Sequence, residues 1–199
     1  MPLWTGSASL RQRRRRHAMQ EVQHHAVELF EEYGFEGVTV EQVAEAAGVS
    51  PVSVYRWFGA KERLVLWDDY DPDLFAAIAE RIGDRAPLEA VRDAVVAELG
   101  RVYDADRELV LTRTQLVHRE PALLGAALRD TRSMRTALAE LFSEAGIGQD
   151  DFGRHVLAEV AIAALTAAVD AWQAHDGQVA LAEYVNGAFE VVRRATWTT

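Results

Sequence analysis

The stretch Gly34-Phe35-Glu36-Gly37-Val38-Thr39-Val40-Glu41-Gln42-Val43-Ala44-Glu45-Ala46-Ala47-Gly48-Val49-Ser50-Pro51-Val52-Ser53-Val54-Tyr55-Arg56-Trp57-Phe58-Gly59 decides how this chain is read. Thr39 opens a short helical segment and Gln42 follows three residues later. In that pairing each side chain takes the other residue's backbone N–H at the helix start. Val43, Ala44 and Ala47 fall on one face. Gly48 breaks the helix and Val49 packs under the turn. Ser50 then offers an oxygen to cap a second helix, with Pro51 at its first position, where a missing N–H is harmless. That helix runs to Phe58 and Gly59 ends it. Two short helices joined by a glycine-containing turn form a helix-turn-helix.

The second helix must bury one face and offer the other. Val54 and Phe58, four residues apart, form the buried face. Val52, Ser53, Tyr55 and Arg56 then point outward. The helix N-terminus at Ser50 and Pro51 is free to approach a phosphate. An arginine can bond a guanine edge with two hydrogen bonds, and a serine can read either edge type. Tyr55 and Trp57 carry polar tips that can donate to phosphate. Aromatics on both sides of a short helix cannot all be buried; Phe58 is assigned to the core.

Upstream, residues 13–33 read as one helix with Ala18, Val22, Ala26, Leu29, Phe30 and Tyr33 as its apolar stripe and Gly34 as its stop. Residues 1–12 read as a flexible lead. Arg13, Arg14, Arg15 and Arg16 outnumber the acids near them. They are either a basic arm that contacts phosphates or the minor groove, or a solvated tail.

From residue 12 to about residue 67 the chain resembles the DNA-binding domain of the TetR family. The resemblance implies an all-α fold, a three-helix DNA-binding domain over residues 13–60, and a ligand-binding and dimerisation bundle over residues 61–199. It also implies phosphate contacts from Thr39 and from Lys61, the only lysine in the chain. Trp57 departs from the His or Tyr more usual at its position. The implied partners are a pseudo-palindromic operator in double-stranded DNA, a small-molecule effector, and a second copy held through the last two helices. The implied role is a repressor that its effector releases from DNA. The short run Leu66-Trp67-Asp68-Asp69-Tyr70-Asp71 is similar to a subgroup that takes acyl-CoA-like ligands, for which Arg113 or Arg119 would hold the anionic group.

The rest of the chain reads as helices near 60–82, 87–103, 106–118, 121–145, 152–175 and 178–195, with Pro72 interrupting or kinking the first of these. The effector pocket would be lined by Leu74, Phe75, Ile78, Val102, Leu111, Gln115, Leu138, Phe142 and Trp172, each of which also suits plain core. Val156, Val160, Ala163, Ala164, Ala167, Ala168 and Ala171 share a broad face that fits a helix seam, within one subunit or between two.

Composition narrows the function classes. The formal net charge of −10 over 199 residues is unevenly placed. Residues 1–65 hold eight basic and eight acidic side chains, and residues 66–199 hold 13 and 23. A neutral head with clustered arginines on an acidic body suits a DNA-binding module. The absence of cysteine excludes disulfides and thiolate metal sites. The scattered histidines give no ligand pattern, so neither metal nor cofactor is expected. No nucleophile elbow, phosphate loop or dinucleotide fingerprint appears, so an enzyme is not expected. The segment from Val156 to Trp172 contains Glu159, Thr166 and Asp170, short of the ~18 unbroken apolar residues of a membrane span. A cytoplasmic protein with no membrane partner is expected.

Overall fold

The computed structural model describes residues 10–67, 71–148 and 150–196, with the side chains of residues 12, 71–73, 100–106 and 196 outside the description. Among the described residues the chain is helical and has no strand. Helix α1 spans Leu10–Tyr33, α2 Val40–Ala46, α3 Pro51–Phe58 and α4 Arg63–Leu66. The body consists of α5 Asp71–Ile82, α6 Pro87–Arg119, α7 Pro121–Glu144, α8 Asp151–Ala174 and α9 Leu181–Thr196.

Two apolar clusters organise these helices. The head closes on Val22, Ala26 and Phe30 of α1, Val43 of α2, Val54 and Phe58 of α3, and Leu64 and Val65 of α4. Leu116 near the end of α6 and Leu123 at the start of α7 seal the same cluster from below. Head and body are therefore welded at the α6–α7 corner, and α4 packs with the head. Tyr33, placed on the α1 stripe by spacing, is instead 61% exposed, although Phe30 in the same last turn is buried. The body's cluster gathers Ile78, Val91, Leu138, Phe142, Ala161, Trp172, Val185 and Phe189 from five helices.

Two helix boundaries differ from the periodicity. The segment over 60–82, expected to be interrupted or kinked at Pro72, is divided into α4 and α5, but the break comes earlier, with Trp67 already extended at φ −60°, ψ 124°. Pro72 lies in the first turn of α5, a position where its missing donor is not needed. Conversely, 87–103 and 106–118 merge into the single 33-residue α6. No proline breaks this segment, and extending a helix costs less than nucleating a second one. Between α8 and α9, Asp176 and Gly177 adopt positive φ of 51° and 59°. A Cβ on Gly177 would lie 2.8 Å from the Trp172 ring, whose Nε1 donates to the Val179 carbonyl at 3.0 Å. The indole thus fastens the turn that folds α9 back along α8.

Candidate nucleic-acid interface

Both short head helices start as their sequences require. The Thr39 hydroxyl accepts from Gln42 N at 3.2 Å, and Gln42 Oε1 accepts from Thr39 N at 2.7 Å. Ser50 Oγ accepts from Ser53 N at 3.2 Å, with Pro51 at the first position of α3. Gly48 between them sits at φ +65°, a left-handed conformation that glycine adopts without a Cβ penalty. The turn also returns Val49 N to the Ala44 carbonyl at 2.9 Å. These bonds, all local in sequence, set the path of the chain from α2 into α3.

α3 divides as its pattern demands. Val54 and Phe58 are buried in the head, while Val52 is 73% and Tyr55 48% exposed and Arg56 is also exposed. Ser53 is half-buried, its hydroxyl 3.0 Å from that of Ser50. Tyr55 Oη donates to Glu41 Oε1 at 3.3 Å, tying α3 to α2. Desolvation, with the Glu41 charge and hydrogen bond added, raises the Tyr55 phenol above its usual value, so the hydroxyl stays a donor at neutral pH. Trp57 is half-buried against the head's cluster and belongs in part to packing.

Lys61 donates to the Phe35 carbonyl, and its ammonium lies 4.3 Å from the centre of the Phe35 ring. An ammonium has three donors, so two remain for an anion. The arginine run is part of α1: Arg13, Arg14, Arg15 and Arg16 all lie within the helix and are exposed. With α1 starting at Leu10, three residues before the expected Arg13, they form the basic end of that helix.

The joint between head and body was not read from the sequence. Gln23, 5% exposed, points its amide from α1 at the C-terminal end of α4. Its Nε2 lies 3.1 Å from Leu64 O, 3.3 Å from Val65 O and 2.8 Å from Trp67 O. From the other side Arg113 of α6 donates Nε to Val65 O at 2.8 Å and Nη2 to Trp67 O at 3.0 Å. A cation at a helix C-terminus also meets the negative end of its dipole. Arg63 pairs with Asp130 of α7, and Arg119 of α6 with Glu31 of α1. Arg113 and Arg119, both considered as holders of an anionic effector group, are thus engaged in joining head to body. The available signal for Gln23 was a polar residue amid the apolar positions of α1.

The remaining effector candidates spread through the body. Ile78, Leu138, Phe142 and Trp172 are core residues, the last two with no exposed surface. Leu74, Phe75 and Leu111 are half-buried against the same cluster. Gln115 reaches Asp176 at 3.5 Å. Val102 lies among the residues whose side chains are outside the description, and Asp68, Asp69 and Tyr70 lie outside the described residues. Two hollows stand apart from this set. One of about 380 Å³ lies on the outer side of α8 and α9. The other, about 800 Å³, lies between α1 and α6 beside His24, His25 and Glu28.

Residues 24–66 match the family described as bacterial regulatory proteins, tetR family, and residues 85–196 match the MftR C-terminal domain. The chain belongs to the TetR family. It is a transcription regulator with a DNA-binding helix-turn-helix. The body, which by sequence resembled the family only in helical texture, thus has a match of its own. The HTH-type transcriptional regulator TcmR of Streptomyces glaucescens is 37% identical over 150 residues, 71% of this chain and 66% of TcmR, just under two thirds of that relative's length. Among solved structures, the SmeT–triclosan complex superposes with a TM-score of 0.61 at 13% identity, covering 90% of this chain and 91% of SmeT. Thermus thermophilus FadR, a TetR-family repressor in complex with lauroyl-CoA, gives 0.52 at 23% identity, covering 87% and 92%. At these identities the likeness to both structures is one of fold.

Proposed function

We propose that this TetR-family chain is a homodimeric repressor that binds a pseudo-palindromic operator and is released from it by a small hydrophobic effector. The observation that carries the DNA half is the outer face of α3. Val52, Tyr55 and Arg56 stand exposed on a helix whose inner face, Val54 and Phe58, is locked into the head. A side chain that reads base edges has to be held this way. Arg56 and Ser53 supply base-edge hydrogen bonds. Val52 offers apolar contact, and Ser50 and Pro51 set the helix N-terminus toward a phosphate. Thr39, Tyr55, Trp57, Lys61 and Arg13 to Arg16 supply backbone contacts. Such a regulator works in the cytoplasm, where its DNA lies.

Selection from a random duplex pool tests this reading. The expected outcome is an inverted repeat with half-sites about one helical turn apart or somewhat more. Lys61→Ala should weaken binding to all sequences alike and lower the salt slope by about one unit. Enrichment of no inverted repeat would overturn the operator reading.

For the effector we propose the apolar seam where Leu74, Phe75 and Ile78 of α5 meet Leu111 of α6 and the body's core. The two fold neighbours were solved with chemically different molecules, triclosan and lauroyl-CoA, so the fold leaves the ligand class open. A second reading, a regulator without an effector, is favoured by the close packing of Leu138, Phe142 and Trp172. A thermal-shift screen of acyl-CoAs, fatty acids and aromatic metabolites, followed by operator binding with each hit, separates the two. A hit that stabilises the protein and releases DNA supports the effector reading. An empty screen supports the second.

A further inference from the structure

The outer side of the head carries an acid among the groups assigned to DNA. Glu41 lies in the first turn of α2, exposed, two residues after Thr39. Its Oε1 accepts from Tyr55 Oη of α3 at 3.3 Å. Tyr55 is itself 48% exposed, so this pair stands open to whatever approaches α3.

A phenol has one hydrogen to donate. While Glu41 holds it, Tyr55 offers an approaching molecule only its lone pairs. A phosphate oxygen is an acceptor as well, so the carboxylate and the phosphate compete for the same hydrogen. Desolvation first, and then the Glu41 charge, raises the Tyr55 phenol above its usual value, which keeps that hydrogen in place. The bond to Glu41 is a replaceable one. At 3.3 Å it is longer than the roughly 2.7–2.8 Å usual between two oxygens. Charge adds to the competition, because a duplex carries negative phosphates along its whole length and repels a carboxylate beside them.

Resting on the DNA reading above, in which Tyr55 contacts the backbone, we propose that Glu41 is a built-in competitor of DNA: its carboxylate occupies the Tyr55 hydroxyl in the free head and must yield it to a phosphate on binding. Glu41 thereby sets the level of DNA affinity, while base preference stays with Arg56 and Ser53. Phosphate contacts carry no sequence information, so the penalty falls on all duplexes alike. A lowered level suits a repressor that has to let go. An effector typically changes DNA affinity by about 5- to 150-fold. A head that held its operator far more tightly would stay bound with the effector present.

A double-mutant cycle on the whole chain tests this. Glu41→Ala, Tyr55→Phe and the double variant are titrated with the selected operator and with an unrelated duplex of the same length, and their melting temperatures are recorded. Glu41→Ala should bind both duplexes more tightly, by the same factor on each, with little change in melting temperature. In the Tyr55→Phe background that gain should shrink by roughly two- to tenfold, since no hydrogen is left to compete for. A gain of equal size in both backgrounds is loss of charge alone and overturns the competition through Tyr55. Weaker binding by Glu41→Ala with a lower melting temperature makes the pair a structural tie between α2 and α3 and overturns the proposal too. Both results leave the DNA reading standing. An unsubstituted protein that binds neither duplex overturns the DNA reading itself.

Discussion

Head and body are both bundles of helices, but they are held by different means. In the head, side chains tie the helix ends: Thr39 with Gln42 at α2, Ser50 at α3, and Gln23 with Arg113 at the end of α4. In the body, α6 and α7 begin at Pro87 and Pro121 with no side-chain cap and are placed by a shared apolar cluster; α8 is the exception, with the Asp150 carboxylate accepting from Gly153 N at 2.7 Å. Local hydrogen bonds set angles over a few residues, whereas apolar burial is non-directional and sets only who lies inside. A surface that must match DNA benefits from the first.

The largest effect should follow from breaking the body's means of support. Phe142→Ala removes a fully buried ring and should cost about 3–5 kcal/mol, read as a lower midpoint in denaturant unfolding. A loss well under that range would show that the body does not depend on this cluster.

Gln23→Leu probes the joint. The new side chain fills the space but leaves the carbonyls of Leu64, Val65 and Trp67 without the amide, a cost of about 1–3 kcal/mol. Unfolding by head and body probes should then cease to coincide, because the tie at α4 is loosened. Coincident transitions at the original midpoint would remove Gln23 from the joint.

Arg56→Ala should separate reading from folding. The operator's advantage over other sequences should fall by about 1–3 kcal/mol, roughly five- to 150-fold in affinity ratio. The melting temperature should not move, since the side chain is exposed. An unchanged ratio would mean that another face of α3 reads the bases.

The smallest effect belongs to Glu190 on α9. Hydrogen bonds from Arg193 and Arg194 hold its carboxyl down to about 2, from an ordinary 4.5. A folded-state value depressed in this way contributes stability above the ordinary carboxylate range, and the contribution is lost as pH falls through about 2. The group is half-buried on the helix surface and still screened by solvent, so Glu190→Gln should flatten the acid limb of stability between those values only slightly. A large change in that window would show that this ion pair has buried surroundings in the assembled protein.

The caps, the glycine stops and the two faces of α3 were legible in the chain because each depends on residues within four or five positions. So did the order and type of the helices, since apolar spacing reports amphipathicity without reference to partners. Breaks and mergers were less legible: α4 ends at Trp67 where Gln23 and Arg113 take its carbonyls, 44 and 46 positions away. The same distance hid the duties of Arg113 and Arg119, since a basic residue on a helix looks alike whether it waits for an anion or holds a carbonyl. It also hid which alanines of α8 face the core and which face outward, because a stripe of small residues is symmetric until its neighbours are known. By itself, then, the sequence determined the helix-turn-helix, which face of α3 is buried and which exposed, and the helical character of the body, all short-range matters of backbone and hydrogen bond. Only the tertiary structure decided where head is fastened to body, which aromatics fill the core and which side of α8 stays open. Those depend on contacts between residues far apart in the chain, which packing alone brings together.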